Sequence, residues 1–261
     1  MTRFFAPPDL YPAAGLFGKA HLVLFSLAVL LIALSLWASR EMSTLGVRRV
    51  IRVATLSLWV LEGVKIAFVL LVARTRNPNE YVPLYYCSIT LYAGALSSLC
   101  KGTLRRVGDA FLATGCLVGG AVFLCVPLTS LSRYPAWHFI SLHSFLLHAL
   151  MVYLALLVLW RGDYRVGLWD ILYHGALVSA VCAVALVFNL CYDAHHADAP
   201  VANLMFISKD FPGTPISFFY HLCGPLLYPV AAMLVQSLLP ALAVYAVQGA
   251  ILKRRAERMI L

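Results

Sequence analysis

The sequence predicts an all-α polytopic membrane protein of seven transmembrane helices, with the N-terminus outside and the C-terminus in the cytoplasm. Three observations carry this reading. Of 261 residues, 62% are hydrophobic and 12% charged, against roughly 45–50% and 25% in a soluble domain, so the apolar surface exceeds what one core can hide. Apolar runs of about 20 residues, the length that crosses hydrocarbon as a helix, recur along the whole chain. Lys and Arg are spread unevenly over the connectors, and that asymmetry sets orientation. The net charge of +9 is thereby accounted for by topology and names no nucleic-acid partner.

The first run, near 19–39, is too long for a secretory signal and carries its basic cluster behind it, so it reads as a span. The second, near 51–73, holds Glu62 and Lys65 in an otherwise apolar sequence. Pro83, suited to a first helical turn, opens the third, near 82–100. Further spans follow near 109–131, 136–160, 167–192 and 220–251, all in one domain covering 1–261. One set of connectors (Arg40, Arg48, Arg49, Arg52, Lys101, Arg105, Arg106, Arg161, Arg165, Lys253, Arg254, Arg255, Arg258) carries thirteen basic residues and the other (Arg3, Lys19, Arg74, Arg76, Arg133, Lys209) six. The richer set belongs inside. Trp37, Trp137, Trp160 and Trp169 fall at span ends, where the amphipathic indole prefers the headgroup layer. The one long connector is the outer loop 193–219, broken by Pro200, Pro212, Gly213 and Pro215. Its apolar piece Val201 to Ile207 is expected to lie on or re-enter the outer leaflet, and a loop of this size reads as a lid or site wall.

Ionisable residues inside spans are costly in hydrocarbon and mark candidate function. Glu62 and Lys65, at i and i+3, stand one turn apart and neutralise each other. His138, His143 and His148 are spaced by five, which rotates each by about 140° from the last, so they cannot line one helix face. Seven cysteines with no C-x-x-C speak against a disulfide framework or a zinc ribbon. Cys87 is the most informative residue: it is expected near the positive end of the third helix, where thiolate is favoured. Counting down from the outer ends of the third and fifth spans puts Cys87 and His143 both roughly 8–10 Å deep. A cysteine beside a base is the minimal apparatus for acyl transfer through a thioester.

The stretch Val82-Pro83-Leu84-Tyr85-Tyr86-Cys87-Ser88 resembles the L-P-L-x-x-C signature of the YwaF-like integral membrane protein family. Tyr134-Pro135-Ala136-Trp137-His138 and Ser141-Leu142-His143-Ser144 are similar to its Y-P-x-x-H and S-L-H-S elements. Asn203-Leu204-Met205-Phe206 with Gly213-Thr214-Pro215 resembles its outer-loop motif, and Gly18 to Leu22, containing His21, resembles its entry to the first span. The family's eukaryotic branch includes a phospholipid acyltransferase. The resemblance implies an intramembrane Cys and His pair, falling on Cys87 and His143, in a bacterial cytoplasmic membrane. The partners implied are phospholipids and lysophospholipids, with no cofactor and no metal. An oxyanion donor is required, for which His138, Ser141, Asn203 and Tyr86 are candidates. Two other readings stand beside it. A metal-dependent lipid hydrolase would draw ligands from Asp193, His195, His196 and Asp198, with His221 and His21 near the same surface. A transporter or receptor would use Glu62, Lys65 and the histidines as a polar pathway.

Overall fold

A computed structural model describes residues 3–8, 10–162, 164–212 and 214–260. Gly213 lies outside the described residues, as do the side chains of Pro215, Arg255 and Arg258. The described chain is helical, in the order α1 (Lys19–Ala38), α2 (Thr44–Leu71), α3 (Pro78–Tyr81), α4 (Ile89–Leu99), α5 (Gly102–Ala113), α6 (Gly115–Cys125), α7 (Leu128–Leu131), α8 (Phe139–Arg161), α9 (Leu168–His195) and α10 (Pro215–Ile260). Six helices are long and apolar enough to cross a membrane: α1, α2, α5 joined to α6, α8, α9 and α10. Trp37, Trp137, Trp160 and Trp169 are exposed at or beside helix ends.

The long helix α8 is the hub, packed against α1, α2, α5 and α6. Its sequence explains this: no Gly or Pro interrupts it, and apolar or small residues surround it on every side, as in a helix buried all round. Outside the hub, α4 lies against α2 and α5, and α9 against α5 and α10. Large apolar side chains of α1 and α10, such as Leu22, Leu34, Leu226 and Leu239, remain exposed. An apolar face of that kind is at home in hydrocarbon and nowhere else.

Several spans differ from the sequence reading: the second begins at Thr44 and not near 51, and the last covers Pro215–Ile260 and not 220–251. The third run, expected as a helix over 82–100, is helical only over Ile89–Leu99. Eleven residues reach about 16 Å, half of a roughly 30 Å hydrocarbon layer. Pro83 disfavours helical backbone at Val82, found at φ −82, ψ 117, so no helix enters from before it. The fourth span starts earlier than 109, because Arg105 and Arg106 are part of α5, and it ends at Cys125, because Pro127 follows. The last helix turns sharply at Gly224, whose φ of 73° is open to glycine and whose successor is Pro225.

The loop after α9 dips back into the bundle. Ala202, Leu204, Met205 and Ile207 are buried against the helices, while Val201 is exposed. Side chains from two helices, α9 and α10, hold its backbone: Asn189 accepts from Leu204 N–H at 3.0 Å, Gln236 donates to the Met205 carbonyl at 3.1 Å, and the Tyr228 hydroxyl donates to that of Phe206. Met205 and Phe206 sit at φ 58° and 52°, a left-handed turn that non-glycine residues adopt only when their surroundings impose it.

Candidate active site

Cys87 lies on the irregular chain between α3 and α4, not inside a helix as the sequence suggested. The Leu84 amide closes on the Val82 carbonyl at 2.9 Å, and the Tyr92 hydroxyl reaches back from α4 to the Pro83 carbonyl at 2.9 Å. From Tyr85 the chain begins to coil, with Ile89 N–H donating to the Tyr85 carbonyl at 3.2 Å and Thr90 N–H to that of Cys87 at 3.2 Å. The amides of Tyr86, Cys87 and Ser88 donate to no protein acceptor among the described residues. They are the orphan donors of a helix start. Cys87 itself is half-buried.

The wall opposite is α2. Lys65 Nζ stands 2.6 Å from Glu62 Oε1, and His143 Nε2 of α8 stands 3.8 Å from Glu62 Oε2. Glu62 is buried, and its Oε1 accepts no hydrogen bond of proper geometry despite the nearby ammonium. The intramembrane pair predicted from sequence therefore exists. One of its carboxylate oxygens faces His143, the expected base. Cys87 and His143 make no direct hydrogen bond with each other among the described residues.

His143 differs from the other buried histidines. His21 accepts from Phe17 N–H at 3.2 Å and pairs through its other nitrogen with the Leu124 carbonyl at 2.9 Å. His138 caps α8 by accepting from Ile140 N–H at 3.1 Å, so its Nε2 carries the proton and donates to the Ala6 carbonyl at 3.0 Å. His148 bonds the Ser144 carbonyl and stacks on Phe123, while His174 bonds Thr114 Oγ1 at 2.9 Å. Among the described residues His143 alone of these five makes no ring hydrogen bond, although its side chain is 4% exposed. The rings spaced by five on α8 thus turn to three different neighbours, as their rotation requires.

The four side chains considered as oxyanion donors are committed elsewhere. His138 is a cap with both nitrogens engaged. Ser141 donates to the Pro135 carbonyl at 2.9 Å, and the Tyr86 hydroxyl faces His174 Nε2 at 3.5 Å. Asn203 folds the re-entrant loop, accepting from the Ser208 and Lys209 amides and donating to the Lys209 carbonyl. The free amides of the Cys87 turn, which sequence gave no reason to nominate, are uncommitted donors adjacent to the cysteine in the chain.

The outer-loop metal set does not assemble. His195 and His196 each bond a carbonyl of their own helix, Cys191 and Tyr192, at 2.7 and 3.0 Å. Asp193 accepts from Ala202 N–H at 2.8 Å and faces Lys209, while Asp198 is exposed. Among the described residues no group of three or more His, Cys, Asp or Glu is placed to hold a metal ion.

Two buried carboxylates that the sequence reading passed over fasten the opposite end of the bundle. Asp109 takes a two-pronged ion pair from Arg48 and a hydrogen bond from Ser97 at 2.6 Å. Asp170 takes the same from Arg106, with both contacts at 2.6 Å, plus Gly167 N–H at 2.7 Å. Basic residues that marked the cytoplasmic side by number are thus also structural partners. The available signal was an acidic residue inside or just before an apolar run, the signal that singled out Glu62.

The TMEM164 family model matches residues 16–246. No curated protein and no solved structure matches the chain. With most of its length matched, the chain belongs to the TMEM164 family, and it is an integral, multi-pass membrane protein.

Proposed function

We propose that this member of the TMEM164 family transfers acyl chains between membrane lipids through a thioester on Cys87, with His143 as the base. One observation carries the reading: among the described residues His143 is the buried histidine whose ring makes no hydrogen bond, and it stands 3.8 Å from Glu62 Oε2. The motif resemblance around both residues supports it. His143 takes the Cys87 proton, the thiolate attacks a lipid ester carbonyl, and the Tyr86, Cys87 and Ser88 amides receive the oxyanion. Collapse breaks the ester C–O bond, and His143 returns the proton to the departing lipid alcohol. In the second half the hydroxyl of an acceptor lipid loses its proton to His143 and attacks the thioester, which restores the thiol.

The donor in this proposal is a phospholipid already in the leaflet, and the acceptor a lysophospholipid. Cys87, His143 and the re-entrant loop share one end of the bundle, which the thirteen-to-six basic bias assigns to the outside. Acyl-CoA, a highly charged cytosolic thioester, is then on the wrong side. The test is reconstitution in liposomes with an isotopically labelled diacyl phospholipid and a distinguishable lyso acceptor, without CoA. Transfer of label is expected, with slower hydrolysis as water reaches the thioester. Failure there, with robust transfer once acyl-CoA is supplied, would overturn the donor assignment.

This orientation requires seven crossings, with α4 and the extended 82–88 segment together making one. A reporter fused behind the C-terminus should read cytoplasmic, and a tag within 193–199 should be reached by an impermeant reagent from outside. The reverse pattern would move the site to the inner leaflet.

A further inference from the structure

Glycines on a membrane helix ordinarily let a neighbouring backbone come close. Gly108 does so, since a Cβ there would meet the Ala93 carbonyl oxygen at 2.5 Å, and Gly120 does so against the His148 carbonyl oxygen at 2.9 Å. Gly115 and Gly119, one turn apart on α6, clear room for rings instead. A Cβ on Gly119 would stand 2.9 Å from Tyr86 Cε1, and one on Gly115 would stand 2.5 Å from Phe111 Cε2 and 2.9 Å from His174 Cε1. Those rings meet one another. Phe111 stacks on His174 with centroids 5.4 Å apart, Tyr86 lies 5.5 Å from Phe111, and the Tyr86 hydroxyl reaches His174 Nε2 at 3.5 Å. The tautomer suits this contact. Thr114 Oγ1 donates to the Ala110 carbonyl at 2.6 Å, so it accepts from His174 Nδ1–H at 2.9 Å and leaves Nε2 as an acceptor. The Gln236 carbonyl, 3.4 Å from the same nitrogen, has no proton to give, whereas the Tyr86 hydroxyl has one.

We propose that Tyr86 is a positioning residue for Cys87: its ring, seated between α5, α6 and α9, and its hydroxyl, held by His174, fix the turn on which the thiol and the free amides stand. The role rests on the acyl-transfer reading for its purpose but not for its test. Tyr86 directly precedes Cys87, and its carbonyl accepts from Ile89 N–H at 3.3 Å. Its backbone is thereby tied to the start of α4 and its side chain to the far wall of the bundle. Two further contacts steady the same stretch, Tyr85 against Phe206 at 5.1 Å between ring centroids and Tyr92 on the Pro83 carbonyl. Packing alone asks only for a phenyl ring, and a hydroxyl in an apolar surrounding is tolerated when it has a partner. Backbone donors stabilise an oxyanion only while their geometry is held.

The experiment follows alkylation by N-ethylmaleimide in the reconstituted full chain, read peptide by peptide by mass spectrometry, with acyl transfer measured in parallel. Exposed Cys191 is the internal reference, and buried Cys116 and Cys182 report general loosening. Tyr86→Phe keeps the ring and removes the hydroxyl. Cys87 is then expected to react about fivefold faster relative to Cys191, the worth of one hydrogen bond, while kcat for transfer falls at unchanged KM. Gly119→Ala pushes the ring from its seat and is expected to move both quantities further, on the order of tenfold. Gly249→Ala, where an added Cβ has nothing within 4 Å, should move neither. Faster alkylation with slower transfer marks a displaced turn, because loss of thiol activation slows both. Unchanged or slower Cys87 alkylation in Tyr86→Phe would overturn the proposal. Parallel gains at Cys116 and Cys182 in that variant would also overturn it, by reducing the ring to ordinary packing. If the alkylation pattern holds but wild type transfers no acyl chain, the acyl-transfer reading fails and the seat of Tyr86 stands.

Discussion

Cys87→Ala in liposomes is expected to transfer acyl chains on the order of 10⁴-fold more slowly than wild type, with insertion and helicity unchanged. The size follows from the mechanism, since no thioester forms without the sulfur. The side chain is small and half-buried beside a turn whose backbone bonds do not involve it, so truncation leaves the fold intact. His143→Ala is expected to lose about 10²–10⁴-fold, the usual worth of a positioned base. The two losses should be far from additive, because both residues serve one proton transfer, and the double variant should be little worse than Cys87→Ala. Undiminished transfer by Cys87→Ala would return this residue to the class of inert packing cysteines and end the proposal.

The second large effect is on stability. Asp170→Ala removes a side chain that is 1% exposed and accepts from both Arg106 and the Gly167 amide. Breaking a buried pair from one side typically costs about 3–5 kcal/mol. The lower figure is expected here, because the Arg106 side chain is 44% exposed and recovers some hydration. Thermal unfolding in detergent, followed by loss of helicity, should show a clear fall in midpoint. Arg49→Ala, at an exposed position, should show none. Equal midpoints in Asp170→Ala and wild type would mean that α5 and α9 are held by apolar packing alone.

The parts of this molecule legible from sequence were those written as contrast. Long apolar runs gave six helices of spanning length, and two charges inside one run gave the Glu62–Lys65 pair. The third run misled because Val82, Leu84, Tyr85 and Tyr86 are as apolar as a helix would need, while Pro83 disfavours helical backbone at Val82. Asp109 and Asp170 were passed over because each lies near basic residues and reads as part of a solvated connector. Their burial is set by Arg48 and Arg106, which arrive from other helices. Of the proposed site, residue chemistry pointed to Cys87 and His143, and oxyanion donors were sought among polar side chains that the structure shows engaged elsewhere. A backbone amide carries no letter in the sequence, and its freedom appears only once the turn is seen. His174 was missed for a related reason: a single histidine in an apolar run has no pattern around it, and its partner Thr114 stands 60 residues away in sequence.

The rim around the re-entrant loop is stitched from distant parts of the chain. Asn79 donates to the Val201 carbonyl and accepts from the Asn203 amide, and Tyr192 donates to the Arg76 carbonyl, across sequence separations of 122, 124 and 116 residues. During synthesis Asn79 therefore leaves the ribosome more than a hundred residues ahead of the segment it binds. The ring of Tyr85 waits as long for Phe206, which it meets at 5.1 Å in the finished chain. A ribosome stalled before residue 200 would display this rim without the loop that stitches it together.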